Sequence, residues 1–598
     1  MPSEQYSEGI YAPLRQTKAV VRFALVAPEA KKKARVMFEN QNPMSRYTQI
    51  KNNVSDMGGR MATFEPGYWK LDGSFLLPLP PKETDFEIGW WGKNMSDGDR
   101  ALDSDAVIEV IFIEPQNIAV FGIAFDTASG QAISDLSIEA HDSGGRLIFQ
   151  EDIRDNTKTY IHTGSGATGV SGIFYRLYKT SEPYRYPRVT ELDFGLVLTF
   201  DDEQILNLST IREADPLGKS VPLNHLRMRI TNNGQFDQLD RNSYGAYLQK
   251  RQAFEYRHGL ERDGGVEWIY GGVYYMDDWT VNDSYVEFNA LGAASLLESR
   301  TYDESSLTVM PVGQLIQEVA KKTGMGCQIP DSLLNSPGVC GYLGNVDCRK
   351  AVAMMAELSC TMVYENRRNT LFFVDWQDEQ EASDRLDYEN MFEPPDVKLG
   401  VYYNGVILKE ITLSTVREQL VKVKETVKGS KSVKLYFDSP LYGNPAVTVT
   451  QGFTLSNAVY KTMYMTATLT GNGEAEIIIQ GDAAKFVSAD VFYSAPWRDD
   501  QESDYGYRVD LPMMIVNGGS DWEAFREWFL ARKFSLLKRR LTCKAAWRQN
   551  PDQEIGDCVA VQVNRRGTMM PMMAYAETID YEGGVLRGET RTIGEVSI

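Results

Sequence analysis

Histidine and cysteine are scarce in this chain, at four and six in 598 residues. His141, His162, His225 and His258 lie far apart. None falls in a His-x-x-x-His or His-Glu-x-x-His frame, so the commonest zinc-enzyme signatures are missing. His141, His162 and His258 precede Gly-containing turns and His225 opens a strand, which predicts turn or surface positions. Four of the cysteines, Cys327, Cys340, Cys348 and Cys360, are spaced by 13, 8 and 12, with no histidine between them. That fits no zinc pattern and predicts reduced, buried thiols, as in a chain folded in a cytoplasm. Positive charge is also in deficit: net charge is −20 and the pI about 4.9. A protein that grips nucleic acid needs clustered Lys and Arg, so an acidic surface argues against that role, though not against nucleic acid passing nearby. No apolar run approaches the ~18 residues of a membrane span. The first residues, Met1 to Tyr6, have neither the basic nor the apolar region of a signal peptide.

What is present is β-forming. Hydrophobic content of 43%, 31 Tyr and 49 Gly point to well-filled cores, strands and tight turns, in about four domains. In the stretch 189–298, Leu226, Met228 and Ile230 alternate with His225, Arg227 and Arg229, giving one buried and one wet face. Asn232-Asn233-Gly234 is a turn signal, and Asn282-Asp283 sits at the tip of a predicted hairpin. Residues 1–16 read as a polar arm. Lys31-Lys32-Lys33 read as a solvated cluster in a turn. From about 45 to 188 a polar opening with a Pro-rich loop at 77–81 is followed by several strands, the pattern of a sandwich or jelly roll. Its Trp69, Trp90 and Trp91 have two readings: a platform for a glycan or partner, or apolar anchors, with the anchors favoured.

Further on, Leu315, Ile316, Val319 and Ala320 share one helical face, with Pro311 at its start. Asp347 is placed to cap a second helix, and 366–369 to turn a hairpin. A charged linker follows at 381–395, then strands to about 490. A long amphipathic helix at 521–540 comes next, whose last turn would hold Lys538, Arg539 and Arg540. Those three suit a helix C-terminus, or else contact phosphate or an acidic partner. Four strands close the chain. Catalytic signatures are missing. Gly164-Ser165-Gly166 and Gly169-Val170-Ser171-Gly172 lack the Lys-Ser/Thr of a phosphate loop, and no Gly-x-Ser-x-Gly elbow links a strand to a helix. Acidic pairs such as Asp201-Asp202 are expected among 82 acids and single out no catalytic pair. No cofactor and no metal are expected, and the chain reads as structural or binding rather than as an enzyme.

Several short pieces, in order, resemble one family. They are Ala62-Thr63-Phe64-Glu65 with Trp69-Lys70-Leu71-Asp72-Gly73; Ile108-Glu109-Val110-Ile111-Phe112; Gly122-Ile123-Ala124-Phe125-Asp126; and Tyr186-Pro187-Arg188-Val189-Thr190-Glu191-Leu192-Asp193-Phe194-Gly195. After these come Asp215-Pro216 with Val221-Pro222; Ile230-Thr231-Asn232-Asn233-Gly234-Gln235-Phe236; Gly272-Val273-Tyr274-Tyr275; and Asn550-Pro551 with Gly556-Asp557. Together they resemble the tail hub proteins (prophage endopeptidase tail or tail-associated proteins) of phages and prophages of Gram-positive hosts.

The resemblance implies a mainly β fold with α/β parts. Its domains would be an N-terminal arm at 1–16, a first tube-type barrel from 17–44 plus 189–298, and an inserted jelly roll (galactose-binding-like) at 45–188. A small α/β domain at 299–380 would follow, then a second barrel from 396–490 plus 541–598, interrupted by a helical insertion at 491–540. It implies a homotrimer in the virion tail, at the tip or baseplate. The partners would be the distal tail protein hexamer, the tape-measure C-terminus, tail fibres or receptor-binding proteins, genomic DNA in transit during ejection, and a cell-surface glycan. Arg227 and Arg229 would face the lumen or a neighbouring subunit, as would Lys538, Arg539 and Arg540. With the chain ending at the barrel, no wall-lysing activity is implied. Two alternatives stay open: a carbohydrate-binding adhesion protein working through 45–188, and a cell-wall hydrolase.

Overall fold

The computed structural model describes residues 6, 9–12, 15–26, 28–37, 41–46, 48–52, 60–69, 75–76, 88–103, 106–126, 129–237, 243–262, 265–376, 382–499, 501–516 and 520–596. The Pro-rich loop expected at 77–81 lies outside them. The fold is mainly β with a few helices.

Strand Gln16–Val26 starts the body. Its Ala19, Val21, Phe23 and Leu25 are buried, as period-two alternation requires. It pairs antiparallel with Ala253–Arg262 and with the second half of Arg188–Phe200. The ladder then continues through Gly265–Val281, Tyr285–Leu291, His225–Thr231 and Ile205–Glu213. There the sheet crosses to the end of the chain. Residues 208–213 pair with 576–581 of Met569–Glu582, which pairs on through Val585–Glu595 and Arg539–Trp547 to Asp396–Leu399. One hydrogen-bonded sheet therefore joins segments some 370 residues apart. Leu226, Met228 and Ile230 are buried, with His225 and Arg227 exposed between them. Asn232 Oδ1 accepts from the amides of Gly234 and Phe236, which closes the expected turn. Of the N-terminal segment, Tyr6 and Ile10 are buried against Leu260 and Ile269.

The insertion hangs on a shared strand. In Arg188–Phe200, residues 189–194 pair with Val107–Phe125, and 195–200 pair with the body. The remaining order is Val107–Phe125, Tyr160–Thr180, Ile133–His141, Leu147–Ile153, all antiparallel. Strand Arg35–Met37, expected in the first barrel, pairs instead with Glu109–Ile111 of the insertion. Leu192 and Phe194 enter the insertion's core. The other face carries Glu191 and Asp193, fully buried, with Lys31 Nζ at 2.7 and 2.9 Å and Arg22 paired to Asp193. Residues 28–33 form a short helix, not a turn, and it buries Lys31 rather than leaving it in solvent. Burial pushes the Glu191 carboxyl up to about 8, against the pull of Lys31. For Asp193 the same burial is outweighed by Arg22 and then Lys31, and its pKa falls to about 2.

The α/β unit follows its sequence signals. Helix Val312–Thr323 buries Leu315, Ile316, Val319 and Ala320, with Pro311 one residue earlier than expected, at the cap. Asp347 caps Cys348–Ser359, accepting from the Lys350 amide at 2.8 Å. Strands Met362–Glu365 and Thr370–Val374 turn through 366–369, where Asn366 Oδ1 accepts from two amides. Helix Ser520–Leu537 packs into the same core.

The region 405–494 departs from expectation. Strands Gly405–Tyr436 and Tyr464–Ser494 pair with each other along their whole length and with no strand of 541–598, so they complete no barrel with it. Among the described strands from 382 to 494, Asp384–Leu386 and Asp396–Leu399 are the ones that join the closing strands. This hairpin is folded double. Tyr436 and Leu441 lie five residues apart, a reach of at most ~18 Å, yet their partners Tyr464 and Ala483 would be about 60 Å apart on a straight strand. The Asp438 amide donates to the Leu420 carbonyl at 2.8 Å, which the fold-back brings close. The bend falls at Gly429, Gly471 and Gly473, with φ of 81°, 157° and 117°. A Cβ on Gly471 would sit 2.2 Å from the Phe453 ring. The two layers enclose their own core, including Leu420, Leu435, Met465, Ile477 and Ile479.

Candidate functional site

Four segments meet where the sheet crosses from 205–213 to 569–582. Arg212 faces inward in phase with the buried Leu208 and Thr210, and is itself buried. Its guanidinium pairs with Glu554 and, at 3.2 Å, with Glu577. From the 366–369 turn, Arg367 reaches Glu554 at 2.9 Å and donates to the Gln553 carbonyl at 2.6 Å. The two carboxylates diverge. Burial raises Glu577, against Arg212 and Arg367, whereas in Glu554 those two cations outweigh burial and lower it. Beside this cluster, Trp547 Nε1 donates to Thr590 Oγ1 at 2.9 Å, and Thr590 donates to Gln553 at 2.9 Å. Arg15 donates to the carbonyls of Leu586 and Gln549 at 2.8 and 3.1 Å, tying the N-terminal segment to the closing strands. The arrangement locks body, α/β unit and chain end together, and its acids face a cation rather than an open cleft.

His258 belongs to this interior, contrary to the turn or surface position expected. It lies within strand Ala253–Arg262, opposite Ala19, and packs edge-on against Tyr256 at 4.5 Å. Burial, then Arg367 and Arg15, hold its imidazole neutral, with its pKa lowered to about 3. Among the described residues, no group of three or more His, Cys, Asp or Glu is placed to hold a metal.

The structure separates the three tryptophans. Trp90 and Trp91 are adjacent in a strand paired with Val189 and Arg188, so they point to opposite faces, and both faces are covered. Trp90 sits in the insertion core and Trp91 in a smaller cluster with Met61 and Ile88. Neither can meet a glycan or partner, which corrects that candidacy. Arg188 lies 4.1 Å from the Trp91 ring and 4.6 Å from that of Tyr68, and pairs with Glu65 and, at 2.9 Å, with Asp126. Trp69 remains exposed, as does Phe64 at 95% exposure.

Arg227 and Arg229 share one acid. Glu287, across the strand pair, receives them at 2.8 and 2.6 Å. Burial of Glu287 is outweighed by the bonds from Arg229 and Arg227, and its pKa falls. The pair lies at the surface. Arg227→Ala is therefore expected to change stability by less than about 1 kcal/mol in urea denaturation. Lys538, Arg539 and Arg540 do not form a helical last turn, because the helix ends at Leu537 and strand Arg539–Trp547 begins. They lie over Trp497, Trp376 and Tyr402 at 5.6, 5.6 and 5.3 Å, and Arg539 donates to the Trp376 carbonyl at 2.7 Å. The Arg212 cluster was missed in the sequence. Its signal was a charged residue at an inward phase, Leu208-x-Thr210-x-Arg212.

No protein-family model matches the chain, and no curated protein matches it. Among solved structures it is similar to a tail protein from Neisseria meningitidis MC58, at 8% identity and a TM-score of 0.36, covering 66% of this chain and 94% of that one. It is also similar to the 43 kDa tail protein of prophage MuSo2 from Shewanella oneidensis, at 10% identity and a TM-score of 0.35, covering 65% and 93%. A third is prophage tail protein gp18 from Listeria monocytogenes EGD-e, at 9% identity and a TM-score of 0.34, covering 78% and 96%.

Proposed function

We propose that the chain is a structural hub of a phage tail, at the tip or baseplate. Three copies form a ring that closes the distal end of the tail tube. The ring holds the distal tail protein on one side and the tape-measure C-terminus and fibres on the other, and it opens to let DNA leave. One observation carries the reading: a single sheet joins residues 205–213 to 569–582, while the 405–494 hairpin with its own core stands outside it. That is a rigid frame bearing an appendage, as a load-transmitting ring component requires. The ordered sequence pieces between 62 and 557 support the same reading. An acidic chain suits a channel that DNA traverses without sticking. No catalytic step is assigned to the chain, and zymography on peptidoglycan is expected to give no clearing.

The test is assembly. Native mass spectrometry is expected to find three chains of 67.4 kDa each, and negative-stain microscopy a ring. A chain that stays monomeric at high concentration, and forms no ring with distal tail protein added, overturns the reading.

A further inference from the structure

We propose that the groove between the α/β unit and the folded hairpin binds an oligosaccharide. The groove has a volume of about 950 Å³, at the upper end of the ~300–1,000 Å³ of ligand sites. A charged network beside it, reaching the lining through Glu304 and Lys322, ties its two walls together. Asp303 pairs with Lys434 and, at 2.8 Å, with Lys322, and accepts from Tyr436 at 2.8 Å; Glu304 accepts from Tyr464 at 2.8 Å. These bonds join the two units and hold the walls in register.

The walls differ in chemistry. On the hairpin side stand Tyr442, 60% exposed, and Tyr460, half-buried. On the helix side stand Gln314, Glu318 and Lys321, all exposed. Lys321 has no ion pair among the described residues, and Glu318 accepts from Gln314 at 3.4 Å. A sugar ring presents an apolar C–H face and a rim of hydroxyls, each both donor and acceptor. Tyrosine covers the face, and the amide, carboxylate and ammonium serve the rim.

Other ligand classes fit less well. A lipid needs an apolar lining, and here Met310 and Leu441 are buried at 9% and 8% exposure. Nucleic acid needs a strongly positive groove, and here Glu304 and Glu318 largely offset Lys321, Lys322 and Lys461. An extended peptide would add to strand Leu441–Val449. That strand breaks register at Gly443 and again before Ala446, and Pro445 offers no N–H.

The experiment uses full-length protein on a printed glycan array, followed by titration calorimetry with the oligosaccharide retained most strongly. Retention is expected. Tyr442→Ala and Tyr460→Ala are each expected to weaken it at least tenfold, with an unchanged thermal melt for Tyr442→Ala, whose ring is 60% exposed, and a small drop for Tyr460→Ala, whose ring packs on the hairpin core. Trp69→Ala, in the other unit, is expected to bind as the parent does. Three results overturn the proposal: no glycan retained, equal retention by both tyrosine variants, or loss in Trp69→Ala. Capture of an immobilised peptide library without any glycan counts against it too. Neither tyrosine lies in the body sheet, so ring assembly can fail without touching this result.

Discussion

Arg212→Ala is expected to destabilise the body by about 3–5 kcal/mol, the cost of stranding a buried charge by removing its partner. Arg212 is the cation that Glu554 and Glu577 share at the crossing between the two halves of the sheet. Arg367 reaches Glu554 closely but Glu577 only at 4.0 Å, so Glu577 is the acid left without a counterion. Its carboxyl is already raised by burial, and in the variant it will take up a proton. The loss is therefore expected to shrink as pH falls. Urea denaturation followed by circular dichroism at neutral and mildly acidic pH measures both effects. The double variant Arg212→Met, Glu577→Gln removes both charges of that pair and is expected to recover most of the stability. If Arg212→Ala costs under about 1 kcal/mol, the crossing is not held by this cluster. If the double variant is no better than the single, lost packing rather than stranded charge is the cause.

What was legible in the sequence follows the range of the interaction involved. Alternation around Met228, the apolar face of 312–323, the Asp347 cap and the Asn366 turn each rest on residues within a turn or a strand of one another. The fold-back of 405–494 does not. Its strands read as several short ones, because the stretch 412–419, with neither face buried, carries polar runs such as Ser414-Thr415 and Glu418-Gln419 inside a continuous ladder. Nothing local distinguishes pairing with 464–494 from pairing with 541–598. The buried charges failed for a related reason. Lys31, Arg212 and Asp193 look like surface residues until a partner from a distant segment is placed on them. Trp90 and Trp91 show the converse. Two adjacent large side chains in one strand must face opposite ways, so burying both requires cover on two sides, which only the tertiary fold reveals. The walls of the groove lie about 120 residues apart in sequence, and no motif spans them.

His258 is expected to contribute a loss of stability at mildly acidic pH, and His258→Gln is expected to remove that contribution. An unfolded histidine titrates near 6.5, whereas in the fold burial, then Arg367 and Arg15, lower the value to about 3. Between those limits the unfolded chain binds a proton that the folded chain refuses, so stability is full above pH 6.5 and declines as pH drops towards 3. At 1.36 kcal/mol per unit this reaches about 5 kcal/mol. Other buried groups act in the opposite sense. Burial raises Glu365 to about 7, Asp557 to about 6 and Glu191 to about 8. What they add is complete below their unfolded values and lost as pH rises through the folded ones. The parent's profile between pH 4 and 7 is therefore flattened, and only a difference curve isolates the histidine. Parent minus His258→Gln, measured by urea denaturation at half-unit intervals, is expected to slope by about one proton between pH 6 and 4, with the variant gaining at acid. Gln keeps a polar side chain of similar size against Tyr256 and Tyr581 and carries no proton to lose. A flat difference curve would mean that the imidazole is protonated inside the fold. The interior between the two halves of the sheet would then be wetter than its burial suggests.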